Sequence, residues 1–217
     1  MTAPSIRSST VVNETGNATS RNITKPTGTV SGDWLLMFIA LDGVATGSVT
    51  CTGFTEVIMR TTGTGALYAL FVKQAGGSEG ASYAVGSGSE TGNFALVCID
   101  GSTSSATTID ELVNALSSGQ GLGTSVPNLD CYITTADTLV FRFAMADGSA
   151  TASFTQPGSH TSIVNNTAGG TTRVSSSLCY ATQAAAGYAG KLIHTLSAAD
   201  DWGSLTVAIA STITPSA

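Results

Sequence analysis

The strongest constraint on what this chain can fold into is the run Gly32 to Gly43, GDWLLMFIALDG. It opens on the turn pair Gly32-Asp33, passes through eight consecutive apolar residues from Trp34 to Leu41, and stops at Asp42-Gly43. A membrane-spanning helix needs about 20 apolar residues, so the run is too short to cross a bilayer. It is also too apolar for an exposed strand. A short apolar run between turn signals reads as a strand buried on both faces or as a buried helical turn. The Asp-Gly exit favours the strand, because Asp-Gly is turn chemistry. The phrase returns as NFALVCIDG at Asn93 to Gly101 and TLVFRFAMADG at Thr138 to Gly148. Unequal intervals and unlike flanks argue against a sequence repeat. The shared exits predict three core strands whose faces the rest of the chain must cover.

A chain of 217 residues can bury such a core within one domain. Only 10% of its residues are charged and 42% are hydrophobic, which is the opposite of a disordered, self-solvating chain. With 25 glycines and many Ser, Thr and Val residues, it reads as an all-β protein with many turns. The formal net charge is −6, and the basic residues are scattered from Arg7 to Lys191 with no basic run. That excludes electrostatic partnership with nucleic acid or with an anionic membrane surface. The N-terminus, MTAPSIRSSTVVNETG, lacks the apolar segment of a secretory signal, so folding in a reducing cytoplasm is expected.

Read in order, strands are predicted at Ser5 to Val12, Arg21 to Thr24, Ser48 to Thr52, Phe54 to Arg60, Gly65 to Gln74, Ser82 to Val85 and Phe94 to Asp100. The low apolar content of residues 1–27 predicts an N-terminal strand or arm that packs on a neighbour, ahead of a single β-sandwich domain over 28–217. Thr107 to Gly119 is the one candidate for a short helix, with an irregular loop as the alternative. Ile109, Leu112, Val113 and Leu116 recur at helical spacing, and Thr108 with Glu111 matches a capping box. Gln120 to Val126 reads as a flexible Gly-rich loop ending at Pro127. Further strands are predicted at Leu129 to Thr134, Thr138 to Ala146, Thr151 to Thr155, Thr161 to Val164, Arg173 to Gln183, Lys191 to Leu196 and Trp202 to Ile213, with a turn at Gly169-Gly170. Many short strands without a βαβ rhythm predict a two-sheet β-sandwich of jelly-roll type.

The search for chemistry is mostly negative. The two histidines, His160 and His194, stand in no nucleophile or zinc motif and are read as surface or turn residues. Cys51, Cys98, Cys131 and Cys179 lack metal-site spacing and are read as small buried hydrophobes. Their pairing is not fixed by sequence, since four cysteines permit three connectivities. Asp42, Asp100 and Asp147 at strand ends, and Asp200-Asp201 in a loop, are the oxygen ligands a Ca²⁺ ion would use. Asp-Gly is also ordinary turn chemistry, and no metal or other cofactor is expected. Paired carboxylates for glycoside hydrolysis are disfavoured by the low count of acids and aromatics. Trp34 and Trp202 adjoin apolar strands and are read as core or core-edge anchors rather than sugar-stacking rings. The N-x-T triplets at Asn13, Asn17, Asn22 and Asn165 are expected to carry no glycan.

One order of phrases carries more weight than these motifs. G-D-x-L-L at Gly32 is followed by Gly53-Phe54, by LYALFVKQAGGSE at Leu67 to Glu79 and by Ser82-Tyr83. FALVCIDG at Phe94, TLVFRF at Thr138 and W-x-x-L-T-V-A-I at Trp202 complete the order. From about Thr27 to Thr212 the chain resembles a β-sandwich module of tailed-bacteriophage virion proteins, found in capsid decoration proteins and in tail or fibre proteins. The match rests on core and turn residues, so no catalytic residue carries over, and the predicted helix at Thr107 to Gly119 departs from it. The resemblance implies a non-enzymatic virion protein, assembled in the host cytoplasm. Its expected role is a decoration or cement protein that binds the major capsid protein as a homotrimer. A tail or fibre component that binds a host surface glycan is the alternative.

Overall fold

The computed structural model describes residues 3–14, 16–43, 46–63, 65–104, 106–148, 152–166 and 174–211. The first half of the chain supplies β1 (Ile6–Asn13), β2 (Ala18–Thr24), β3 (Trp34–Leu41), β4 (Thr50–Cys51), β5 (Thr55–Thr61), β6 (Leu67–Gln74), β7 (Ser82–Glu90) and β8 (Gly92–Ile99). Five of these make an antiparallel sheet in the order β1-β8-β3-β6-β5, and β2-β7-β4 make a smaller one. A 3-10 turn (Gly101–Thr103) and a single helical turn, α1 (Ile109–Leu112), lead into the second half. There follow β9 (Val113–Asn128), β10 (Tyr132–Ile133), β11 (Thr138–Asp147), β12 (Phe154–Thr155), β13 (Thr161–Asn166), β14 (Val174–Gln183), β15 (Gly187–Tyr188) and β16 (Leu192–Ile209). Their sheet runs β12-β16-β11-β14-β13, with β9 along the other edge of β16 and a β10-β15 ribbon beside it. The protein is an all-β sandwich.

The apolar run at the centre of the sequence is β3, and every one of its residues is buried. Its pleat explains why. Trp34, Leu36, Phe38 and Ala40 point toward the second sheet, where Phe141, Phe143, Leu205 and Val207 meet them. Leu35, Met37, Ile39 and Leu41 point the other way, into a second core closed by Ile23, Val49, Tyr83 and Val85 from the small sheet and its approach. The two large sheets thus make the sandwich, and the β2-β7-β4 sheet roofs the outer face of the first. The Phe38 ring lies 5.6 Å from the rings of both Phe141 and Phe143, so it pins the inter-sheet core. Truncating such a ring to Ala costs about 3–5 kcal/mol.

One expectation is corrected in extent. The helix predicted over Thr107 to Gly119 is one turn long. Its capping box forms, with Glu111 N donating to Thr108 Oγ1 (3.3 Å) and Thr108 N donating to Glu111 Oε2 (3.3 Å). From Val113 the chain is extended, because β9 pairs with β16 from Val113↔Ile209 to Asn128↔Leu192. A short helix is marginal alone, and a ladder of that length outweighs it. The Gly-rich segment Gln120 to Val126 is therefore strand rather than loop. Gly121 answers to crowding, since a Cβ there would lie 2.7 Å from the Trp202 indole, and Gly123 to a φ of +133°. Within residues 1–27, among those described, β1 pairs with β8 and β2 pairs with β7 of the same chain. The turn at Gly169-Gly170 and the strand ends predicted at Thr151, Arg173 and 212–213 lie outside the described residues.

Candidate functional site

Most of the unusual chemistry gathers on the outer face of the second sheet. Because Phe141 and Phe143 of β11 point into the core, Val140, Arg142 and Ala144 point out. Register sets Arg142 beside Cys179 of β14 and Thr206 of β16. A cover closes over them. The register of β16 against β9 shifts between Thr195 and Asp200, so Leu192 to Thr195 run along Asn128 to Ser125 as a separate stretch of ladder. Leu129 to Cys131 and the β10-β15 ribbon extend that cover. Asn128, His194 and Cys179 are all fully buried.

These three form a row. Asn128 Nδ2 donates to the carbonyls of Phe143 (2.8 Å) and Leu205 (2.9 Å), which fixes the amide so that Oδ1 faces His194. His194 Nδ1–H donates to that Oδ1 at 2.6 Å. Nε2 is then the lone-pair nitrogen, and the Cys179 thiol donates to it at 3.7 Å. Thiol, imidazole and amide stand in the order that cysteine hydrolases use. The environment works against that use. Burial pushes the Cys179 thiol up to about 12 and His194 down to about 4, so the proton stays on sulfur. None of the three groups reaches solvent. The row is a structural clasp between cover and sheet. The reading of His194 as a surface or turn residue is thereby corrected. His160 does sit in a turn, with its N–H donating to Pro157 O at 3.2 Å.

Beside the clasp, Arg142 is almost wholly buried and makes no ion pair among the described residues. Nη1 donates to Thr206 Oγ1 (2.8 Å) and Leu129 O (3.4 Å), and Nη2 donates to Ala189 O and Gly190 O (2.8 Å each). One guanidinium thus ties the sheet to both strands of the cover. Nε finds no acceptor. Arg142 also forms part of the wall of an open pocket of about 290 Å³, with Ser159, His160, Thr182, Gln183 and Leu192. Ser159 Oγ and His160 Nδ1 lie 3.1 Å apart, and burial together with Arg142 lowers the His160 pKa. On the cover's surface, Tyr132 and Tyr188 are 57% and 72% exposed and pack edge to face at 5.2 Å. Leu129 and Ile193 of the same cover are also exposed.

The carboxylates divide. Asp42 and Asp147 come together at one end of the sandwich near Glu90. Burial, a hydrogen bond with Asp147 and the Glu90 charge raise Asp42 to about 6. Asp100 lies at the opposite end, where it caps the 3-10 turn through Ser102 N (2.9 Å) and pairs with Arg7 (2.9 Å). Asp200 and Asp201 sit where the register of β16 shifts. Among the described residues no group of three or more His, Cys, Asp or Glu side chains is placed to hold a metal ion. Trp34 and Trp202 are buried core anchors, as expected, and the four cysteines are free and buried. The chain matches no known family model, no curated protein and no solved structure.

Proposed function

We propose that this chain is a structural protein of a tailed-bacteriophage virion, a decoration protein that binds the major capsid protein on the outer surface of the shell. The resemblance of its core phrases to virion sandwich modules is the starting point. One structural observation supports the reading. Leu129, Tyr132, Tyr188 and Ile193 are each exposed on a cover that Arg142 fastens from beneath, and the two tyrosines touch. Apolar and aromatic side chains on a preformed face are what a protein partner anchors on. The four cysteines, all buried, fit the same reading. In this reading the protein is a homotrimer at local three-fold positions; a monomeric mass by light scattering at micromolar concentration would sink the trimer. The test of the whole reading is copy number per purified particle, measured by quantitative mass spectrometry against the major capsid protein. Copies in the hundreds are expected, and absence from the particle overturns the reading. The edge-to-face Tyr132–Tyr188 pair favours a second reading, a tail or fibre component that engages host glycans. A copy number that is a small multiple of three or six selects it.

A further inference from the structure

We infer that the pocket walled by Arg142, Ser159, His160, Thr182, Gln183 and Leu192 is a binding site for a sugar acid, with the ligand's carboxylate held against the Arg142 guanidinium. The inference goes beyond the decoration reading and does not depend on where in a particle the protein sits.

Three observations carry it. The first is charge. Arg142 is almost completely buried, yet no carboxylate pairs with it among the described residues. Asp130, the acid whose field reaches it, instead accepts from Gly190 N at 2.8 Å. A buried cation without a counter-ion is costly, and an anion entering its surroundings relieves that cost. The second is donor capacity. Four bonds occupy Nη1 and Nη2, whereas Nε has no partner in the protein. Nε is covered in the free protein, so a carboxylate oxygen reaches it only as a wall side chain moves aside. Gln183, His160 and Leu192 line the same pocket and are only partly buried.

The third is the composition of the wall. It holds no acid; it combines the hydroxyls of Ser159 and Thr182 and the Gln183 amide with the apolar surface of Val140, Ala189 and Leu192. That mixture suits a ring bearing hydroxyls on its edge and C–H groups on its face. At about 290 Å³ the pocket lies near the small end of ligand sites, enough for one ring. Tyr188 immediately precedes the wall residue Ala189, and its carbonyl accepts from Gln183 Nε2 at 3.5 Å. Tyr188 is therefore adjacent in the chain to the pocket, and with Tyr132 packed on it offers a stacking surface for a ring or its neighbour.

The test uses the whole ¹⁵N-labelled protein and follows the Arg142 Nε–H resonance during titration with glucuronate, glucose and acetate. Glucuronate is expected to move that resonance saturably at millimolar concentration. Glucose should leave it in place, and acetate should bind at least tenfold more weakly than glucuronate. Tyr188→Ala and Ser159→Ala, both at exposed positions, should each weaken glucuronate by about threefold to tenfold without changing the rest of the spectrum. Arg142→Gln identifies the resonance if that variant folds; selective arginine labelling identifies it otherwise. No saturable shift with glucuronate overturns the site. Acetate binding as tightly as glucuronate overturns the sugar, as does indifference to both surface substitutions.

Discussion

Gly203→Ala tests the packing between the two sheets with a single methyl group. Gly203 lies on β16 between Met145 of β11 and Gln120 of β9. Its φ is not in the left-handed range, so alanine brings no backbone penalty there. The contact is the problem: a Cβ at this position would stand 2.3 Å from both Cδ1 and Cε1 of Tyr68. Tyr68 is fully buried and held at its far end, where its hydroxyl donates to Gly119 O at 3.0 Å. The ring must retreat by about 1 Å in a close-packed interior, and doing so strains or breaks that bond. Overpacking costs about 1–3 kcal/mol, and the hydrogen bond contributes about 1 kcal/mol. A loss of roughly 2–4 kcal/mol is expected, or about 5–15 °C in Tm for a domain of this size. Urea unfolding measures it as a midpoint shift at unchanged slope. The decisive control is Tyr68→Leu, which removes the ring. In that background Gly203→Ala should cost less than about 1 kcal/mol, a coupling that independent sites do not show. Strict additivity, or a cost below about 1 kcal/mol in the native background, would refute the reasoning.

Three further outcomes follow from buried titratable groups. His194 is held near 4 against an ordinary 6.5, so the unfolded chain binds its proton first. Stability should fall as pH drops from about 6.5 toward 4, by up to about 3 kcal/mol from this group. NMR should find the His194 ring neutral at pH 5.5, and a protonated ring there would contradict the clasp. Asp42 has the opposite sign: its pKa is raised to about 6, so the folded state is penalised above that pH and relieved below it. Asp42→Asn should stabilise the protein at pH 8 and lose that advantage near pH 4; an equal effect at both would remove the carboxylate repulsion from the account. Finally, all four cysteines are buried and free, with Cys179 pushed up to about 12. An aromatic disulfide reagent should label none in the native state and four after denaturation, and rapid native labelling of any one would show an opening the structure lacks.

Much of the sandwich was legible because burial on both faces leaves a plain trace. β3, β8 and β11 are nearly unbroken apolar runs ending at Asp-Gly, and each sits inside a sheet. The misreading of Thr107 to Val126 has a physical cause. A capping box and helical spacing are local signals, and they did form one turn, but β16 needed a partner along its other edge. From sequence Gly119 looks like the end of a helix, and Gly121 and Gly123 look like loop residues. Gly119 and Gly121 are in fact small because Leu129, Ser204 and Trp202 crowd the strand. The clasp was not legible at all. Asn128, Cys179 and His194 lie on three strands separated by long stretches of chain, and no spacing announces them. Arg142 stood in view inside TLVFRFAMAD, a charge in an apolar run. That is the one local hint of a buried polar node on the outer face of this sheet.

The division of the chain into two layers bears on how the protein is made. The first sheet and its roof are built entirely from β1 to β8, so they can form while the ribosome is still translating the rest. The second sheet has no such freedom. Its most connected strand, β16, pairs with β9, β11 and β12, and it emerges after the other fifteen described strands. Until it does, the finished first layer presents Leu36, Phe38, Leu70 and Val97 as an uncovered greasy plate. Nascent chains in that state are prone to stick to one another. A stop codon or a slow codon run just before β16 should therefore yield aggregate rather than a smaller soluble fragment, and chaperone demand should peak late in translation.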